Sequence, residues 1–501
     1  METSQLSIPS LLFTFIFLLL LFKILWNSRK SRAHKLPPGP WNLPIVGSMH
    51  HLAGELLHRR LHRLAMTFGP ILRFKLGEIN FISITSPELA REILKTHDKI
   101  FACRPPLMSS TYILYNNSSL VFSPCGKYWS ELRKLCAMNL FTNKRIKGFG
   151  QIRQEASRNL VERIRAAEGT LPVSMSELFL EVAYLTIAKA AFGKDGSSVH
   201  QKSFFTACKE FFKLAGGFHL QEFFPSLGFL GDFTGLKARM KGIHKLFDAI
   251  MNEVIEMHQS RTVNEGDPDE DLLDVMLRLQ REGALDIPLN MDSIKAVVLD
   301  LFLGGTETTA IIWEWIMTEL IRHPDIMKKA QLEVRNAVNG KTIVEESDVH
   351  TLPYLNMIIK ESLRLHPPGP FIVPRYCQET CEVAGYTIPV GYRVIINAWS
   401  IMRNPKSWDE PESFRPERFE GNPFDIGVTN FDFLPFGGGR RICPGISFGI
   451  TSLTNVLANI LYHFDWKLPE GKKPEELDSD EILGLSLTRK NELWLVGTPY
   501  K

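Results

Sequence analysis

Apolar residues are distributed in two ways along this chain. From Ile8 to Trp26 they run almost unbroken, long enough as a helix to cross most of a bilayer core of about 30 Å. Beyond that run they recur with the spacing of packed elements. Ile71–Leu76 and Phe81–Ile84, either side of Gly77 to Asn80, predict a hairpin, and Glu382–Tyr386 and Arg393–Asn397 predict further short strands. Most of the rest, from about Pro87 to Leu365, has helical spacing. The expected fold is mainly α with a small β region. One long helix is predicted from Met291 to about His323, free of proline and apolar on much of its circumference, as suits a helix crossing a core. A second, near Tyr354–Leu365, stops before Pro367.

The flanks of the first apolar run decide its role. No positive charge precedes it and no small-residue cleavage site closes it, which disfavours a cleaved signal peptide. Lys23 lies near one end, where it can snorkel to the interface. Arg29, Lys30, Arg32 and Lys35 follow, which puts the remainder on the cytosolic side. Leu36 to Pro40 carries three prolines and reads as a stiff spacer. The expected organisation is a single-pass transmembrane anchor over residues 1–28, meeting the bilayer through 8–26, a basic and proline-rich linker over 29–43, and one domain over 44–501.

Composition narrows the chemistry. With 44% apolar and 23% charged residues the chain is globular, and its net charge of +3 is too small to argue for nucleic acid. Seven cysteines, an odd number without a C-x-x-C pair, point to a reducing compartment and no disulfide framework. Cys377 and Cys381 are four apart, but no further pair completes a zinc site.

One of those cysteines stands alone in a glycine-rich loop, Pro435 to Gly445, with Arg441 two residues before Cys443. Nearby positive charge and free backbone N–H groups lower a thiol's pKa, and the thiolate is the form that binds metal. On haem iron an axial thiolate pushes electron density outward and favours O–O cleavage. The spacing of Phe436, Gly439, Arg441, Cys443 and Gly445 resembles the cysteine-loop signature of the cytochrome P450 family at every fixed position. Gly445 to Gly449 also matches the G-x-S-x-G elbow of α/β-hydrolases. That elbow needs a buried strand before it and an acid then a histidine well downstream. A glycine loop precedes it and His463 is the only later histidine, so the hydrolase reading is discarded.

The resemblance runs from the anchor to Gly497, in the segment order of plant A-type microsomal enzymes, and implies the cytochrome P450 fold behind its membrane anchor with haem b as cofactor. Gly304 and Gly305 interrupt the long helix at a cost of roughly 1 kcal/mol each against alanine, so something should need the space. The family keeps a small-Gly-x-acid-Thr motif there, which implies that Glu307 and Thr308 relay protons to dioxygen. It implies that Cys443 is the metal ligand and that Arg441, Trp129, Arg133, Arg375 and Arg104 face the haem propionates. Glu361 and Arg364 share a helix face, and with Arg418 they are assigned to structure. Two departures stand out: Cys125 where an aromatic is usual, and Glu307 in place of the commoner aspartate.

Family substrate-contact segments map onto 107–115, about 204–233, 298–305, 371–373 and 483–486, which are mostly apolar and suit a small lipophilic substrate. The aromatic stretch 218–233 suits either the pocket or the membrane surface. By resemblance the chain is an endoplasmic-reticulum monooxygenase hydroxylating a terpenoid, with a flavonoid or alkaloid as runner-up. A haem-dependent isomerase or dehydratase and a haem-free scaffold are the alternatives from other classes. No flavin or nicotinamide motif occurs, so electrons come from NADPH-cytochrome P450 reductase, docking near Lys127, Lys134 and Arg440.

Overall fold

The computed structural model describes residues 35–500 apart from 168, 197–199, 217–218, 233, 262–266, 268–269, 284–285, 287, 339, 350 and 422–429. The anchor expected at 1–28, with most of the basic cluster after it, lies outside the described residues, as do Phe218 and Phe233 of the aromatic stretch.

Helices of nine residues or more, among the described residues, are α1 (Leu57–Phe68), α2 (Lys127–Leu135), α3 (Gly150–Arg165), α4 (Met175–Gly196), α5 (Gln201–Ala215), α6 (Leu236–Gln259), α7 (Leu272–Arg281), α8 (Met291–Arg322), α9 (Pro324–Val338), α10 (Pro353–Leu365) and α11 (Ile446–His463). The strands are β1 (Ile71–Leu76), β2 (Ile79–Ile84), β3 (Val173–Ser174), β4 (Phe371–Tyr376), β5 (Cys381–Val383), β6 (Tyr386–Ile388), β7 (Arg393–Asn397), β8 (Phe464–Lys467), β9 (Glu481–Leu483), β10 (Leu487–Arg489) and β11 (Trp494–Pro499).

The long helix is α8, with Asn290 capping the Ser293 N–H and 32 residues spanning about 48 Å. It is apolar enough to cross a membrane, yet it is mostly buried inside the protein, against α4 along much of its length and against α10 and α11. The two glycines in its middle do different things. A side chain on Gly305 would come within 2.6 Å of Ile187 on α4, whereas one on Gly304 would meet open space. Gly305 therefore serves helix packing, and Gly304 faces a void.

The predicted hairpin forms, paired from Ile71 with Ile84 to Leu76 with Ile79, so its turn is only Gly77-Glu78. Gly77 has φ +59°, and a side chain there would come within 2.3 Å of the Phe223 carbonyl. Phe223 packs its ring toward Phe81 and Phe224 is buried, so the centre of the aromatic stretch belongs partly to the fold. The sheet runs β1-β2-β7-β4, with β2 parallel to β7. The single strand expected over Glu382–Tyr386 is instead the hairpin of β5 and β6. Ala384 and Gly385, both at positive φ, make its two-residue turn. The proline segment is docked: the Arg73 N–H donates to Pro38 O at 2.7 Å, and Pro37 and Pro40 are buried.

The charge network expected around α10 is present and fully bonded. Arg364 donates to both carboxylate oxygens of Glu361 at 2.7 and 2.9 Å and to the carbonyls of Met402, Pro411 and Ser413. Arg418 Nε and the Arg415 N–H complete Glu361, each at 2.9 Å. Both Glu361 and Arg364 are wholly buried.

Candidate active site

The cysteine loop is shaped by one close approach. Gly439 sits at φ +69°, and any side chain there would come within 2.3 Å of Leu94 O and 2.8 Å of Asp98. Only glycine lets the loop lie so near. Asp98 then ties it down, accepting from the Arg440 N–H at 2.9 Å and from Arg375 Nη1 at 3.0 Å. The Cys443 N–H closes the loop on Phe436 O at 3.1 Å, just before α11 begins. Ser447 of the G-x-S-x-G match is exposed on the first turn of α11 with no strand before it, which agrees with discarding the hydrolase.

Cys443 lies deep, yet it is only half-buried, as are its neighbours from Arg441 to Ile446. In the middle of α8, Gly304 is exposed and Thr308 and Thr309 are half-buried, although the helix is buried on both sides of them. Interior residues that remain accessible face a void. Since α8 packs on α11, we infer that these two accessible stretches border a common chamber. Phe371, Ile372 and Val373 of β4 and Leu301 of α8 are half-buried in the same way. The chamber is largely apolar.

The cation expected to act on Cys443 is not Arg441. Its guanidinium turns away, donating to the carbonyls of Ala102, Leu120, Val121 and Ser123 and lying 4.0 Å from the centre of the Trp129 ring. Arg133, on α2, does reach the loop: its Nη2 donates to Ile442 O at 2.7 Å. The expectation of a lowered thiol pKa is also corrected. Burial pushes the Cys443 thiol up, opposed by the Gly445 N–H and Arg133.

The other expected propionate donors converge. Trp129 Nε1 donates to Leu120 O at 3.1 Å, an acceptor shared with Arg441. Arg104 donates to Val121 O, also shared with Arg441, and to Val373 O and Pro374 O, beside Arg375. Arg375 pairs with Asp98, and its Nε is buried without a partner among the described residues. Trp129 and Arg133 share a face of α2 as expected, though their donors go to different carbonyls. Burial, with repulsion from Arg375 and Arg441, holds Arg104 well below the usual guanidinium range. Four buried or half-buried guanidiniums, those of Arg104, Arg133, Arg375 and Arg441, thus gather near the half-buried thiol and the chamber, and among the described residues only Arg375 is paired with a carboxylate, Asp98. That donor set fits a flat apolar cofactor carrying two carboxylates and a metal with one open thiolate position.

Glu307 and Thr308 part company. Thr308 donates its hydroxyl to Gly304 O one turn back, on the chamber side. Glu307 points across the helix, where its Oε2 accepts from the Ser486 hydroxyl at 2.6 Å. It lines a separate, mostly apolar cleft of about 390 Å³ between α4, α5, α8 and the β9–β10 turn, where Lys209, Lys213, Glu314 and Ser176 are among the polar residues, and parts of the segments 204–233 and 483–486 expected to contact substrate line this cleft. Burial pushes the Glu307 carboxyl up to about 7, with the Ser486 hydrogen bond working against it.

The supporting roles of three residues escaped sequence reading, although Asp300 and Ser486 lie within the segments 298–305 and 483–486 mapped there as substrate contacts. Asp98 and Ser486 are far in sequence from what they hold. Asp300 accepts from the Val121 N–H at 3.0 Å and so fixes the loop that supplies acceptors to Trp129, Arg104 and Arg441. Burial pushes its carboxyl up to about 7. A lone aspartate inside the apolar run Val297–Phe302 was the available signal.

Comparison with known proteins follows the same lines. The sequence profile of the family described as Cytochrome P450 matches residues 37–496. Premnaspirodiene oxygenase of Hyoscyamus muticus is 45% identical over 498 residues, covering 98% of both chains. The 5-epiaristolochene 1,3-dihydroxylase of Nicotiana tabacum is 43% identical over 501 residues, again covering 98% of both. A zebrafish cytochrome P450 solved with abiraterone has the same fold, with a TM-score of 0.77 at 24% identity over 89% of this chain and 100% of that one.

Proposed function

This chain belongs to the cytochrome P450 family, a haem-dependent monooxygenase family, and we propose that it hydroxylates a terpenoid hydrocarbon at the chamber between Cys443 and α8. The observation that carries this reading is the half-buried Cys443 thiol beside the accessible stretch of α8 and the half-buried apolar side of β4, with the guanidiniums of Arg104, Arg133, Arg375 and Arg441 gathered near the cysteine loop. Its two reported relatives are named for premnaspirodiene and 5-epiaristolochene, both terpenoid hydrocarbons. The haem supplies the oxidising power once electrons and dioxygen reach it. Cys443 would hold its iron, and Arg104, Arg133, Arg375, Arg441 and Trp129 would receive its carboxylates.

The chain's own residues do the rest. The apolar walls bind the substrate and exclude water from it. Thr308 holds a hydroxyl at the chamber wall, where it can pass a proton inward. Glu307, half-protonated near neutral pH and open to the cleft, takes protons from solvent. Lys127, Lys134 and Arg440 are exposed around the cysteine-loop face and suit an acidic patch on a separate NADPH-dependent reductase. The run at 8–26 would anchor the enzyme in the endoplasmic-reticulum membrane, where lipophilic substrates concentrate.

Glu307→Gln is expected to lower product formation on the order of a hundredfold and to shift consumed oxygen toward peroxide. In the wild type, product formation should fall as pH rises through about 7, where Glu307 loses its proton, and the variant should lack that limb. The same shift has a stability sign. Because the folded carboxyl titrates above its ordinary 4.5, the fold loses stability as pH rises from about 4.5 to about 7, then no further. Product and peroxide assays across this range, beside urea unfolding of both proteins, measure both effects.

The substrate class is tested by supplying microsomes that contain the chain and a reductase with a panel of terpenes and phenolics, read by mass spectrometry. Oxygenated terpenes formed only with NADPH are expected. Turnover of phenolics alone would move the substrate class, and product from a hydroperoxide without NADPH or reductase would overturn the monooxygenase chemistry.

A further inference from the structure

Two cysteines outside the chamber's thiol position lie against one another. Cys103 sits beside the end of β4, bridged to Tyr376, and Cys125 lies just ahead of α2. The Cys125 N–H donates to Cys103 Sγ at 2.8 Å, and Gln378 Nε2 donates to the same sulfur at 3.1 Å. Arg441 Nη2 lies 4.0 Å from Cys125 Sγ. A 2.8 Å contact from one residue's sulfur to the other's backbone nitrogen keeps the two Cα atoms within about 7 Å, at the reach of a disulfide.

We propose that Cys103 and Cys125 form a peroxide-oxidisable dithiol, closing to a disulfide that ties the segment before Arg104 to the loop holding Arg441.

The surroundings distinguish this pair from the other cysteines. Two N–H donors and a nearby guanidinium stabilise negative charge on sulfur. The hydrogen bond with the Cys125 thiol, the Cys125 and Arg104 N–H groups and Arg441 bring the Cys103 thiol down against burial, while the same bond pushes Cys125 up. Cys103 is the only one of the seven cysteines lowered. Cys136 and Cys208 are buried in apolar clusters, and burial pushes both thiols up. Cys377 and Cys381 are also close to one another, yet burial pushes Cys377 up to about 12 and raises Cys381. Access favours the same pair. Cys125 is half-buried between exposed Pro124 and Gly126, whereas Cys103 lies behind it at 5% exposure. A small oxidant can pass where a bulky reagent cannot.

The chemistry balances with hydrogen peroxide as oxidant. The Cys103 thiolate attacks one peroxide oxygen, an S–O bond forms as the O–O bond breaks, and the departing hydroxide takes a proton to become water. The Cys125 sulfur then attacks the sulfenic sulfur, forming S–S and releasing a second water as its proton joins the leaving oxygen. Two sulfurs lose two electrons in all, and one peroxide becomes two waters. Thiol reductants reverse the bond.

The test uses full-length haem-loaded enzyme treated with hydrogen peroxide in small excess, then denatured, alkylated and digested without reductant. The expected product is a peptide pair joined through Cys103 and Cys125, reversed by dithiothreitol and formed at least tenfold faster than any change at Cys377 or Cys381. In Cys125→Ser, judged folded by its Soret spectrum, Cys103 should accumulate a sulfenic acid, trapped by dimedone present during denaturation. The proposal is overturned if Cys103 remains alkylatable after peroxide, if it passes to sulfinic acid in the wild type without a linked peptide, or if Cys377 and Cys381 oxidise as fast. Should Cys125→Ser fail to take up haem, the wild-type peptide map alone decides.

Discussion

Cys443→Ala is expected to leave a folded protein with no thiolate-ligated haem and product formation reduced by more than about a thousandfold. The loop's shape does not depend on the sulfur. Gly439 lies against Leu94 and Asp98, Asp98 holds the Arg440 N–H, and the Cys443 contribution to the fold is its backbone bond to Phe436 O. Alanine keeps that bond and removes only the ligand. Haem that still enters would be held by the guanidiniums and the apolar walls. The reduced carbon-monoxide complex should therefore lack the red-shifted Soret band of thiolate ligation, while the far-ultraviolet circular dichroism stays as in the wild type. Persistence of the red-shifted band would place the ligand elsewhere and sink the assignment of Cys443.

Arg364→Ala is expected to act in the opposite way, destroying the fold and leaving the chemistry untouched in whatever molecules survive. Its guanidinium makes two bonds to Glu361 and donates to three carbonyls, with no exposed surface. Truncation leaves a buried carboxylate with only part of its bonding and three carbonyls short of a donor. Breaking such a pair costs about 3–5 kcal/mol, a large share of the roughly 5–15 kcal/mol that holds a domain together. Arg364→Lys should recover little, because an ammonium cannot reproduce the planar fork. By contrast, Lys329→Ala removes an exposed partner of Glu417 and should cost less than about 1 kcal/mol. Haem per chain and thermal unfolding measure all three. An Arg364→Ala protein that melts within a couple of degrees of wild type would refute the structural role.

The contrast between local and distant signals explains what the sequence made legible. The cysteine loop, the long helix and the Glu361–Arg364 pair are local patterns, and each was readable because spacing along the chain determines who meets whom. The strand at Glu382–Tyr386 was misread because alternation continues across Ala384-Gly385, and a turn that needs two positive φ values leaves a weak trace when one residue is alanine. Arg441 was assigned to the cysteine because it is two residues away, yet its long side chain found carbonyls in the segment from Ala102 to Ser123. Asp98, Asp300 and Ser486 act across long stretches of chain, which no periodicity records. Glu307 and Thr308 look like a pair in sequence. Adjacent residues on a helix diverge by about 100°, and here that angle sends Thr308 back to Gly304 O and Glu307 to the Ser486 cleft.

That divergence makes α8 a partition. Under the proposed function, a substrate filling the chamber leaves the Glu307 cleft open, and Thr308 alone meets both substrate and proton. Under that function, exchanges at Leu301, Ile372 and Val373 should admit larger or smaller substrates while the acid stays in its own cleft. A scaffold divided in this way can change what it oxidises without relearning how to oxidise.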